Sequence, residues 1–285
     1  MTVTNIVVGV DGSSPAEDAL VWALREGRLR SLPVRAVHVW HEDGAAALPS
    51  VAELRERLEH DVTAGVRAVA ERAGATDVPV TVEIRHGHPA QELIQAAGAG
   101  TLLVVGSRGR GTVAGSLLGS VGQSSAQYAQ GPVVVVRGPR RDNPAGRVVV
   151  GVDGSAPSAP ALRFARDTAV ARGAVLQVVH TWTVPYMGFA GPVAWPQEAI
   201  DDVAAQASQV LLDSLRGAGI DDARAGVELS LVQGPPAATL LEIADGADLL
   251  VVGSRGYGGW KGLLLGSVST RAVTQAPLPV AVIRD

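Results

Sequence analysis

The octapeptide LLVVGSRG occupies residues 102–109 and returns letter for letter at 249–256. Its first four residues are large and aliphatic, the composition of a strand buried on both faces. The last four, Gly-Ser-Arg-Gly, are loop chemistry set directly at the carboxyl end of that strand. A recurrence of this length in 285 residues marks an internal repeat, and the repeat decides the architecture before any single element is assigned.

Outward from this segment the two copies stay in step. VGVDGS at 8–13 returns at 150–155, and His38 in VHVW is matched by His180 in VHTW, both 142 positions on. From Gly87, matched by Gly234, the offset is 147. It holds for LLGSV at 117–121 and 264–268, and for PVVVVR at 132–137 against PVAVIR at 279–284. The second copy therefore carries five additional residues, most simply between Thr181 and Gln197, where Pro, Gly and aromatic residues concentrate. A polar segment, GPRRDNPAG at 138–146, joins the copies. Two domains are expected, 1–141 and 142–285, each within the usual size of roughly 100–200 residues.

In the first copy IVVGV, VRAVHVW, VTVEIR, TLLVV and VVVVR read as strands. Between them Pro15–Ser31, Val51–Gly74, Pro89–Gly98 and Val121–Gln130 read as helices bounded by Gly or Pro. This alternation predicts an α/β fold, a doubly wound five-stranded parallel sheet occurring twice, with right-handed crossovers. The ligand crevice of such a sheet lies beyond the strand ends where the strand order reverses. For the order 3-2-1-4-5 that point falls between the first and fourth strands.

The residues leaving those strands are Val10-Asp11-Gly12-Ser13 and Gly106 to Gly109, and in the second copy Val152-Asp153-Gly154-Ser155 and Gly253 to Gly256. The fourth-strand loop runs on to Gly119-Ser120, giving Gly-x2-Gly-x9-Gly-Ser, and Gly266-Ser267 closes the same spacing. Gly106 and Gly109 are expected to let the backbone turn tightly and approach a flat or charged ligand. Gly119, Ser120 and Val121 stand at a helix start, where open N–H groups and the dipole suit phosphate. Ser120 serves there as a cap or as a phosphate donor. Asp11 and Asp153 are placed to accept from a ribose hydroxyl or to hold a divalent cation such as Mg²⁺. A capping box at Ser14-Pro15-Ala16-Glu17 is expected to free Asp11 from capping.

Other chemistry is excluded. A net charge of −4 without a Lys/Arg run argues against nucleic acid, and zero cysteine removes disulfides and thiolate sites. No Gly-x4-Gly-Lys-Ser/Thr occurs, and GRGTVAG at 109–115 follows the wrong strand for a dinucleotide fingerprint. His86-Gly-His88 reads as a turn. His38 and His180 are either satisfied buried histidines or ligand contacts; Arg108 and Arg255 either reach phosphate or cover the loop. Trp182, Trp195 and Trp260 read as core, and Lys261 has only Ala114 as its counterpart. No apolar run approaches the ~20 residues of a membrane helix, and the opening MTVTNIVVGVDG lacks a signal peptide's basic and apolar regions, so a cytoplasmic location is expected. No nucleophile–base pair is visible, so binding with at most slow hydrolysis is expected.

An Asp ending strand one, with Gly-x2-Gly-x9-Gly-Ser after strand four, resembles the ATP-binding branch of the universal stress protein family. The resemblance covers the whole chain, once per half, and implies an adenine-nucleotide alpha-hydrolase-like fold with ATP, with or without Mg²⁺, as cofactor. By it, Asp11 and Asp153 lie near the ribose and adenine edge, and Gly106, Gly109, Gly253 and Gly256 lie under the ribose and phosphates. Gly119-Ser120-Val121 and Gly266-Ser267-Val268 cradle the triphosphate, and Val39 and Thr181 offer backbone groups to adenine. The family's Ser or Thr after that valine is kept as Ser269 and lost as Gly122. The resemblance further implies pairing of the two terminal strands, a homodimer and a protein partner of unknown identity. A slow adenine-nucleotide hydrolase or AMP-transferring enzyme is the alternative.

Overall fold

The computed structural model describes residues 3–40, 51–109, 117–138, 144–184, 195–220, 226–256 and 264–284. In the first half the order is β1 (Asn5–Gly9), α1 (Ser14–Arg30), β2 (Val34–Trp40), α2 (Val51–Arg72), β3 (Val80–His86), α3 (Pro89–Ala96), β4 (Thr101–Gly106), α4 (Ser120–Tyr128) and β5 (Val133–Val136). The second half repeats it as β6 (Arg147–Gly151), α5 (Ser158–Arg172), β7 (Val175–Trp182), α6 (Gln197–Ala218), β8 (Val227–Gln233), α7 (Pro236–Ala244), β9 (Leu249–Gly253), α8 (Ser267–Gln275) and β10 (Val280–Ile283). Lys261, Trp260, residues 185–194 of the longer second-copy stretch and linker residues 139–143 lie outside the described residues.

The chain divides into two compact units, residues 1–142 with 273–284, and residues 143–272. In the first, β3-β2-β1-β4-β5 form a parallel sheet in the expected order. In the second, β9-β6-β7-β8 repeat that order, again parallel. The central strands are aliphatic because helices cover both faces. Ile6, Val7, Val8 and Leu102 to Val104 are fully buried, as are Val148 to Val150 and Leu249 to Val251. Each such side chain contributes about 1.5–3 kcal/mol by leaving water.

The last strand belongs to the first unit. β10 pairs antiparallel with β5, matching Val280 with Val135 and Val282 with Val133. Two arginines frame this pairing. Arg284, just past β10, donates to the carbonyls of Ala126 and Gln127 at 2.5 and 2.6 Å, in the last turn of α4. Arg137, just past β5, donates to the carbonyls of Thr274 in α8 and of Leu117. Both place positive charge at helix carboxyl ends, where orphan carbonyls and the dipole favour it. Burial first, then the positive charge of Arg108, pulls the Arg137 guanidinium below its usual range.

Helix α1 starts one residue earlier than the expected capping box. Ser13 is the N-cap, its hydroxyl accepting from the Ala16 N–H at 3.4 Å, and Pro15 sits in the first turn. Helix α5 has no side-chain cap, and its first residue, Ser158, turns to Asp153 instead.

Candidate functional site

The turn leaving β1 is built around Asp11. Its Oδ1 accepts from the Ser13 N–H at 2.9 Å and from the Ser13 hydroxyl at 2.6 Å. This closes an Asx turn, and Gly12 between them takes the left-handed conformation, φ 76°. In the second half Asp153 Oδ1 accepts from the Ser155 N–H and hydroxyl at 3.0 and 2.5 Å, and also from the Ser158 hydroxyl at 2.6 Å. Gly154 repeats the conformation, φ 77°. The freedom expected for Asp11 is therefore not found. In both halves one carboxylate oxygen is committed to shaping the turn.

The glycines of the β4 loop also answer to the protein. A Cβ on Gly106 would stand 2.6 Å from the Pro15 carbonyl oxygen, and one on Gly109 would stand 2.6 Å from Asp11 Oδ2. A Cβ on Gly256 would come closer still to Asp153 Oδ2, at 2.2 Å. The missing side chains thus let the two loops touch each other, a constraint present before any ligand arrives.

Gly119 is the N-cap of α4; no side chain caps it and its first turn contains no acidic residue. Ser120 is therefore the first helical residue rather than the cap. The Gly119 N–H is spent on the Ser107 carbonyl at 2.8 Å, and the Gly266 N–H on the Ser254 carbonyl at the same distance. These bonds fix the loop against the strand end. An uncapped helix start without acidic residues presents N–H donors and the positive dipole end to an anion. Ser269 is buried, and its hydroxyl donates to the Gly253 carbonyl at 2.5 Å. It ties α8 to β9, a role that Gly122 cannot fill for α4.

These pieces surround a cavity of ≈350 Å³ in the second unit, within the range of small-molecule sites. Val152, Asp153, Thr181, Gly253, Gly256, Gly266, Ser267, Val268 and Ser269 line it; Gly154 and Ser155 do not. Val179 and Val252 of the sheet, and Pro236 and Leu240 of α7, also line it. Arg255 lines it too. In the first half Val10, Asp11, Gly12, Ser13, Val39, Gly106, Gly109, Gly119, Ser120, Val121 and Gly122 hold the equivalent places, while residues 110–116 between them lie outside the described residues.

His38 and His180 share one geometry. Nδ1 of His38 lies 2.8 Å from the Val10 carbonyl oxygen, and Nδ1 of His180 lies 2.8 Å from that of Val152. A carbonyl only accepts, so Nδ1 carries the proton in both rings. Both histidines are half-buried, and His180 lines the cavity.

The α7 wall was missed from sequence, although the repeat carries its signal. Pro89 and Leu93 recur as Pro236 and Leu240 at the 147 offset. Their partner recurs too: a Cβ on Gly9 would meet Leu93 at 2.8 Å, and one on Gly151 would meet Leu240 at 2.7 Å. Among the described residues no group of three acidic or histidine side chains could hold a metal ion, and no helix is long and apolar enough to cross a membrane.

Comparison with known proteins agrees with this geometry. The model of the universal stress protein family matches twice, over residues 2–137 and 145–284. A universal stress protein of Mycolicibacterium smegmatis is 36% identical, covering 98% of this chain and 96% of its own. One from Mycobacterium tuberculosis is 35% identical over 98% of this chain and 94% of its own. The crystal structure of a universal stress protein from Archaeoglobus fulgidus superposes with a TM-score of 0.69 at 21% identity, covering 98% of both chains, and so shares the fold. The chain belongs to the universal stress protein family and carries the family's domain in tandem.

Proposed function

We propose that this protein binds ATP, one molecule in each of the domains 1–141 and 142–285, and works as a stress-response regulator whose nucleotide is a conformational switch. The observation that carries this reading is the second-unit cavity, which joins aliphatic lining from Val152, Val179, Leu240 and Val252 to Arg255, the glycine loops and the start of α8, whose first turn holds no acidic residue. A purine suits the first set of groups and a polyphosphate the second. Gly266, Ser267 and Val268, with Gly119, Ser120 and Val121 in the first half, receive the phosphates. The Thr181 and Val39 backbones face the base, and Asp153 and Asp11 shape the turn beneath the ribose. With Oδ1 already taken by serine donors, either Asp is a poor direct ligand for Mg²⁺, which is expected to arrive on the phosphates. Occupancy would stiffen the glycine loops and alter a surface read by a partner protein in the cytoplasm; a homodimer is the expected assembly.

Gently purified protein should release ATP on denaturation, detected by mass spectrometry, and should retain labelled ATP in equilibrium dialysis at micromolar concentration. Failure of both removes the reading. Gly119→Glu with Gly266→Glu is expected to abolish retention, and Ser120→Ala with Ser267→Ala to weaken it only severalfold. Turnover above about 1 s⁻¹, the low end of ordinary enzymes, would favour an adenine-nucleotide hydrolase instead.

A further inference from the structure

We infer that His180, and His38 in the first half, selects a 6-aminopurine by accepting a hydrogen bond from the base through Nε2; this rests on the nucleotide reading above. Two features of the structure lead here. Each ring is locked by the same 2.8 Å bond from Nδ1 to the carbonyl ending the first strand of its half. A neutral imidazole protonated at Nδ1 has a lone pair at Nε2, so that atom accepts and does not donate.

The second feature is what surrounds that lone pair. His180 lines the cavity, and among the described residues its Nε2 has no partner in the protein. Two of the other polar groups lining the cavity are already engaged. Asp153 Oδ1 is bonded by Ser155 and Ser158, and the Ser269 hydroxyl is given to Gly253. Arg255 can only donate. His180 follows Val179 and precedes Thr181 on β7, and all three line the cavity together with Leu240 of α7. β6 separates β7 from β9, whose loop leads to the helix start that suits phosphate. A base there that offers an N–H to Nε2 is favoured. One that offers a carbonyl lone pair sets acceptor against acceptor, and a buried acceptor without its donor is costly. The exocyclic amine of adenine is the donor and the 6-oxo group of hypoxanthine or guanine the mismatch.

The test uses the full chain and three ligands: ATP, purine riboside triphosphate, which lacks the 6-amino group, and inosine triphosphate. In the unaltered protein, loss of the amine should weaken binding about three- to tenfold, the worth of one hydrogen bond, and the 6-oxo ligand should bind more weakly still. A protein carrying His38→Asn and His180→Asn keeps a donor near the Nδ1 position and loses the Nε2 acceptor. It should bind ATP more weakly and treat ATP and purine riboside triphosphate alike. Equal affinity of the unaltered protein for those two ligands overturns the inference without any variant, so a folding defect cannot shield it. It is also overturned if the double variant binds ATP yet keeps the full ratio, or loses instead its preference for ATP over 2′-deoxy-ATP, which would assign the ring to the sugar. In those cases ATP binding itself survives. Absence of binding by any of the ligands removes both readings together.

Discussion

In the first unit Arg35 reaches Glu83 at 2.9 Å and the Ala96 carbonyl at 2.6 Å, while Arg85 reaches Glu83 at 2.6 Å and Glu92 at 3.4 Å. At the matching places the second unit has Gln177, Ser230, Val232 and Thr239. There Arg147 donates to Gln177 at 3.0 Å, and Gln177 to Ser230 at 2.9 Å. One face of the sheet thus carries an ion-pair network in one copy and a largely neutral chain in the other. The site bonds did not drift in this way. The Asx turn on Asp, the Gly–Asp contact, the His–carbonyl bond and the Gly N–H to Ser carbonyl bond occur in both. Partly exposed ion pairs are worth little and can be exchanged freely. Close backbone approaches leave one geometry, and it is kept.

The sharpest way to break that comparison is at the glycine ending the fourth strand. A Cβ at Gly106 meets the Pro15 backbone at 2.6 Å, whereas at Gly253 the nearest atoms are 3.2 Å away. Gly106→Ala should therefore cost about 3 kcal/mol and Gly253→Ala about 1 kcal/mol, within the usual range for overpacking. Urea denaturation of the two variants reads the difference, and equal midpoints would show that both loops yield alike.

Next comes the Ser269 and Gly122 pair. Ser269→Gly loses a buried hydrogen bond and puts glycine in a helix, together about 2 kcal/mol. Gly122→Ser runs the other way. Its new Cβ would stand 3.0 Å from a flexible Leu118 methyl and 3.6 Å from the Gly106 carbonyl oxygen, the counterpart of Ser269's acceptor. A gain of about 0.5 kcal/mol is expected from helix propensity. A loss measured by thermal unfolding would mean that Leu118 cannot give way.

The smallest effect lies at the surface. Arg28 donates to Asp77 at 2.9 Å, and that bond holds the Asp77 carboxyl below its usual range; the residue 142 positions after Arg28 is the exposed Val170. A carboxyl with a lowered folded-state pKa contributes stability above its unfolded pKa and loses it as pH falls through the folded value. Asp77→Asn should thus lower the unfolding temperature slightly at pH 7, and the gap should close in acid. A gap that persists below pH 3 would assign it to packing.

Much of this was legible in the residues. Near-continuous aliphatic runs mark strands buried on both faces, and the repeat aligned the loops, so the strand order followed. What escaped was the direction of individual contacts. Asp11 shows its acidic group in the sequence but not that Ser13 consumes Oδ1. Ser269 shows a hydroxyl but not that the Gly253 carbonyl takes it. Such choices depend on angstrom-scale approaches, across two residues for Ser13 and Asp11 and sixteen for Ser269 and Gly253, that residue type alone does not specify. The role of Leu240 stayed hidden because a leucine in a helix reads as core wherever it points.

Residues 273–284 follow the entire second unit in the chain and yet complete the first. On a ribosome the order of synthesis and the order of completion therefore disagree. The first half emerges with β5 as an open edge, Arg137 without its Thr274 carbonyl and α4 without Arg284. An open edge is a template for any strand that reaches it, including β5 of a neighbouring nascent chain. A delay between the halves during translation lengthens the time for which that edge stands open.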